Sequence, residues 1–104
     1  MTTEDIGRLQ AIEQNLQAML LHKQQAQANL MELDAALTEL GKAKTAYKII
    51  GNVMVSAGPE ELKKELEQKK DMVQLRVSTF EKQEKKLRDQ AKELQEKVMK
   101  ELKT

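Results

Sequence analysis

The chain contains no cysteine and no tryptophan, and only one tyrosine, one phenylalanine and one proline. Without cysteine it can build neither a disulfide framework nor a thiolate metal site, which fits a reducing, cytoplasmic setting. The shortage of aromatics argues against a round core, because compact domains of this length fill much of their interior with those large side chains. With 104 residues there is room for one domain. Its apolar bulk has to come from Leu, Met, Ile and Val arranged in narrow stripes, which points to long helices.

Other absences narrow the function. No apolar run approaches the ~20 residues that a membrane-spanning helix needs. The polar start, from Met1 to Asp5, lacks the apolar centre of a secretory signal. Neither sign of charge dominates: 18 Lys and Arg face 17 Asp and Glu, for a formal net charge of +1. Interspersed charges of this kind give no strong field for nucleic acid or for an anionic membrane. No phosphate-binding glycine loop of either common type occurs, so nucleotide use is not expected. His22 is the only histidine and is read as a residue of a solvated helix face. The carboxylates follow helix charge patterns, and the Lys63-Lys64, Lys69-Lys70 and Lys85-Lys86-Arg88 clusters are interleaved with glutamates as solvated faces. No catalytic residue, metal ligand or cofactor is expected.

What is present divides into three zones. From about residue 3 to 40, Leu9, Ile12, Leu16, Met19, Ala26, Leu30, Leu33, Leu37 and Leu40 recur at alternating steps of three and four. That spacing keeps them on one helix stripe, as in a coiled coil, with Lys23 as its one break. Thr2 followed by Asp5 reads as an N-terminal cap, and Gly41 stands where a left-handed C-cap glycine would stop the helix. From about 59 to 103 a second helix is expected, opened by Gly58-Pro59-Glu60-Glu61. Leu66, Val73, Phe80, Leu87 and Leu94 repeat every seven residues. Val77, Ala91 and Val98 fill the intermediate position, which Lys70 and Glu84 interrupt. Five Glu–Lys pairs are spaced for contacts four residues apart on this helix: 60/64, 65/69, 81/85, 93/97 and 96/100.

Between the helices, residues 46–56 are rich in β-branched side chains and centred on Gly51-Asn52, which suits a two-residue type I′ or II′ turn. Ile50 then faces Val53 and Ile49 faces Met54, which leaves both faces of the hairpin largely apolar. A lone hairpin is marginal in water, and its edges invite further strands. It is therefore expected to pair with other hairpins and fix an oligomer. The fold class is mostly α: an antiparallel two-helix coiled coil with a short β-hairpin between the helices. If Leu40 aligns with Leu62, Lys23 comes within approach of Glu84 and an ion pair in mid-seam is expected. The far tip then gathers Ile6, Leu9, Ile12 and Leu16 with Leu94, Val98, Met99 and Leu102. A two-helix seam hides only a narrow strip, so Ile6, Leu20, Leu21, Met99 and Leu102 should stay partly exposed. Methionine suits promiscuous apolar contact there.

The run Ala46-Tyr47-Lys48-Ile49-Ile50-Gly51-Asn52-Val53-Met54-Val55 between two helices, with Glu81-Lys82-Gln83-Glu84 in the second, resembles the β class of prefoldin subunits. The resemblance implies an ATP-independent chaperone hexamer of two α and four β subunits. Its hairpins would form β-barrels, and its helix tips would hold unfolded polypeptides for transfer to a group II chaperonin. On that pattern Tyr47, Ile49, Ile50, Val53, Met54 and Val55 carry assembly, and the eight tip residues carry client contact. Two readings from other classes stand beside it. One is a structural or adaptor coiled coil binding one specific partner. The other is an RNA-binding helical arm, which the balanced charge disfavours.

Overall fold

The structure is a computed structural model that describes residues 3–103, with the side chain of Lys103 left aside. Helix α1 spans Thr3–Lys42, strands β1 and β2 span Ala46–Ile50 and Val53–Ala57, and helix α2 spans Pro59–Lys103. Each element lies within two residues of the range that periodicity and turn residues give it, with α1 running on past Leu40 to Lys42. The cap expected at Thr2 lies outside the described residues.

Local chemistry explains the boundaries. Glu4 and Asp5 lie in the first turn of α1, and Glu60 and Glu61 in that of α2, where a carboxylate meets the positive end of the helix dipole. At the start of α2 the Leu62 amide donates to the Gly58 carbonyl at 3.0 Å. Pro59 occupies the first helical position, where its missing N–H costs nothing. The end of α1 corrects the reading of Gly41. That glycine lies inside the last helical turn, and among the described residues only Gly51 has a positive φ. The helix instead closes on a tight turn in which the Ala43 amide donates to the Leu40 carbonyl at 3.3 Å.

The fold consists of two compact units: the described residues of Met1–Gln25 with Val77–Thr104, and Ala26–Arg76. In the first, the start of α1 packs antiparallel on the end of α2. Asp5 lies 3.6 Å from Lys97, and Lys23 lies 2.9 Å from Glu84. Its seam buries Val98 and half-buries Leu9, Ile12, Leu16, Met19, Phe80, Leu87, Ala91 and Leu94. In the second unit the rest of α1 packs antiparallel on the start of α2 around buried Ala26, Leu33, Ala46 and Val73. The hairpin belongs to this unit.

Both residues that interrupt the α2 seam have found partners on α1. Glu84 accepts from Lys23, and Arg88 reaches its other oxygen at 2.6 Å. Lys70 meets Asp34 at 2.6 Å. A polar residue in an apolar seam weakens packing but specifies alignment, because a shifted register strands the charge. The five surface Glu–Lys spacings behave differently. Among the described residues none of them closes as an ion pair: Glu65 reaches Lys48 at 3.6 Å and Lys97 reaches Asp5. The contact four residues apart that does form is Glu84–Arg88, anchored by the cross-helix lysine. His22 is exposed, as expected, and lies against Phe80 with ring centroids 5.7 Å apart.

Candidate functional site

Strands β1 and β2 pair antiparallel with Ile50 opposite Val53 and Ile49 opposite Met54, the register that the Gly51-Asn52 turn dictates. Gly51 has φ 61° and Asn52 has no positive φ. This is the sign pattern of a type II′ turn and excludes type I′, which needs both residues left-handed. Side chains alternate across the ribbon. Tyr47, Ile49, Met54 and Ser56 share one face, and all four are exposed. On the other face Ala46 is buried, Lys48, Val55 and Ala57 are half-buried, and Ile50 and Val53 next to the turn are exposed.

Five large apolar residues of the hairpin, Tyr47, Ile49, Ile50, Val53 and Met54, are 58–69% exposed. Of the six hairpin residues expected to carry assembly, Val55 alone is half-buried. Isolated exposed apolar residues are ordinary; here Tyr47, Ile49 and Met54 lie together on one face of the ribbon, and Ile50 and Val53 lie together on the other beside the turn. The two-stranded sheet also leaves its outer edges without strand partners among the described residues. Beneath the ribbon, Leu40, Leu62, Leu66 and Met54 line an open groove of about 560 Å³.

The first unit presents a second apolar surface. Of the eight tip residues, Ile6, Met99 and Leu102 are exposed at 37, 56 and 63%, and Leu9, Ile12, Leu16 and Leu94 are half-buried. Val98 is different: at 8% exposure it belongs to the seam and offers no surface in this conformation. Leu20 and Leu21, expected to be left uncovered, are 43 and 55% exposed. The heptad spacing that puts Val98 with Val77 and Ala91 in the seam also leaves Met99 outside it, and the burial follows that division. Along this unit the two helices flank an open groove of about 510 Å³ lined by Ala11, Ile12 and Leu94, with Arg8, Gln90, Glu93 and Lys97 at its rim. The apolar spacing by itself does not mark that rim. Its signal was the cationic residue one step before Leu9, set against the lysine three after Leu94.

Among the described residues no three His, Cys, Asp or Glu side chains come together as a metal site. No described helix is long and apolar enough to cross a membrane. Beside these two apolar surfaces, Met31, Met72 and Leu75 also stand exposed on the helices of the second unit.

The comparisons with known proteins give this arrangement a family. A family model described as prefoldin subunit matches residues 3–104. The prefoldin subunit beta of Caldivirga maquilingensis is 39% identical over 97 residues, covering 90% of this chain and 80% of that protein. That of Archaeoglobus fulgidus is 36% identical over 96 residues, covering 89 and 83%. The crystal structure of the prefoldin beta subunit from Thermococcus strain KS-1 matches with a TM-score of 0.90 at 30% identity, over 97% of this chain and 91% of that one. With its two helices, its intervening hairpin and relatives of this kind along nearly its whole length, the chain belongs to the prefoldin family as a chaperone subunit of the β type.

Proposed function

We propose that the chain acts without ATP in a cytoplasmic hexamer of two α-class and four β-class subunits. The hairpin builds the complex, and the first unit holds non-native polypeptides for delivery to a group II chaperonin. It performs no catalytic step and needs no cofactor. The observation that carries this reading is the division of exposed apolar area. One patch lies on strands whose edges can be extended by other strands, with Tyr47, Ile49, Ile50, Val53 and Met54 exposed and Val55 beside them. The other lies on helix ends, where Ile6, Met99 and Leu102 stand over half-buried Leu9, Ile12, Leu16 and Leu94, with Val98 supporting them from the seam.

The two surfaces suit different partners. Backbone groups of a strand edge impose register, so a hairpin selects one geometry of association. Unbranched methionine and leucine on a helix surface impose none, so they tolerate many apolar segments. The test is native mass determination with and without an α-class subunit, followed by suppression of aggregation of several unrelated unfolded proteins without nucleotide. Assembly with the α subunit and nucleotide-free protection are expected. A stable monomer under both conditions would sink the assembly role.

A further inference from the structure

The groove at the start of α1 does not end at Ile12. A second open groove of about 430 Å³, lined by Met19 and Leu87, shares Gln90 with the first. The two therefore adjoin at Gln90 within the first unit. Their apolar lining falls into two clusters, Ile12 and Leu94 towards the helix ends and Met19 with Leu87 further in, with Asn15, Gln83 and Gln90 as neutral polar residues among them. The rim is not neutral. Arg8, Lys97 and Lys86 border the strip, and Glu93 is the one acidic side chain lining it. Lys97 is shared with Asp5 at 3.6 Å. Arg8 and Lys86 enter no ion pair among the described residues.

We infer that this strip takes an extended segment of a non-native polypeptide in which apolar side chains are flanked by carboxylates. The inference rests on the reading of the first unit as the client-binding surface, and it adds a charge preference to that reading. The dimensions fit. Eleven helical steps from Arg8 to Met19 cover ~16 Å, which an extended chain spans in about five residues. Two apolar anchors then settle on Ile12/Leu94 and on Met19/Leu87, and acidic neighbours lie against Arg8 at one end and Lys86 at the other. A basic segment with the same apolar residues meets two cations that no protein carboxylate neutralises. Because the ion pairs are exposed, they contribute selectivity while the two apolar clusters supply most of the affinity.

The experiment uses fluorescein-labelled peptides with one shared leucine-based apolar core and flanks of glutamate, lysine or serine, titrated by anisotropy against the intact chain and against its Arg8→Gln/Lys86→Gln variant. The glutamate peptide should bind about three- to tenfold more tightly than the lysine peptide at low salt. That preference should vanish in the variant and at roughly 1 M salt, where the screening length falls to ~3 Å. Glu93→Gln should widen it. Equal affinity of the three peptides, or a preference unchanged in the variant, overturns the inference and leaves the chaperone reading standing. Failure of every peptide to bind overturns the client-binding assignment of the unit and the inference with it.

Discussion

Lys23 and Glu84, 61 positions apart in sequence, meet at 2.9 Å inside the seam of the first unit, with side chains 20 and 11% exposed. Each stands where its helix stripe would otherwise place an apolar residue. The pair therefore replaces packing with alignment: sliding either helix by one turn leaves a half-buried charge without its counterpart. A double-mutant cycle on Lys23→Ala and Glu84→Ala should give a favourable coupling, with the double variant losing less stability than the two single variants added together. Removing Glu84 should cost more than removing Lys23, because Arg88 also depends on that carboxylate. Zero coupling in thermal unfolding would mean that the two side chains do not interact in solution.

The same carboxylate gives the stability a pH dependence. The hydrogen bond from Lys23 holds Glu84 below the usual carboxylate range; burial opposes this, and the charges of Lys23 and Arg88 add to it. A depressed acid stabilises the fold above its unfolded value, ~4.3 for glutamate, and loses that contribution as pH falls through its folded value. Lys70 in the second unit behaves in mirror image. Its hydrogen bond to Asp34, then the charge of Asp34, raise it against a smaller opposing effect of burial, with Asp71 and Glu67 adding. Its contribution is complete below ~10.4 and is lost as pH rises through the folded value. In denaturant melts across pH, Glu84→Gln should flatten the acid limb only and Lys70→Gln the alkaline limb only. Equal slopes in wild type and variants on both limbs would contradict the assignment.

How much of this was legible beforehand depends on the range of the interaction. Heptad spacing, Pro59 and Gly51-Asn52 act within a few residues, so both helices and the hairpin register could be read directly. The Lys23–Glu84 pair was also accessible, because both residues break a stripe and one alignment brings them together. Asp34 was not. It lies one step off the stripe beside Leu33 and is more than half exposed, so nothing local tied it to Lys70. The tip residues divide by the same local rule, since the heptad places Val98 in the seam and leaves Met99 outside it. The rim charges escaped for a related reason: a groove between two helices has no signature on either helix alone.

Two glycines of one chain should respond in opposite directions. Gly41 lies in helical backbone, and an added Cβ there would meet no heavy atom within 4 Å. Gly41→Ala should therefore stabilise the protein by ~1 kcal/mol, the usual helix-propensity difference. Gly51 is equally uncrowded, but its φ of 61° is a conformation that L-residues avoid. Gly51→Ala should cost about 1–2 kcal/mol in hairpin stability from backbone strain alone. Thermal melts of the two variants decide the matter. A destabilised Gly41→Ala would restore the C-cap role that the helical backbone denies it.

The hairpin patch should separate assembly from folding. Ile50 and Val53 face each other next to the turn, and Ile49 and Met54 occupy the opposite face. All four are exposed, so none contributes to the buried seam of the second unit. Replacing Ile50 and Val53 by lysine puts two like charges across one rung and along the strand edge. Within the free subunit this should cost no more than ~1 kcal/mol, because both ammonium groups remain in water. Between subunits the cost is far larger, since burying those charges without partners is prohibitive. Helix content by circular dichroism should therefore stay within a few per cent of wild type, while native mass and sedimentation show loss of the complex. Lysines at Met31 and Leu75, which are as exposed as the hairpin residues but lie on helices, serve as the control and should leave assembly intact. If the hairpin variant still assembled, the strands would be acting as a connector and the complex would have to form through the helices.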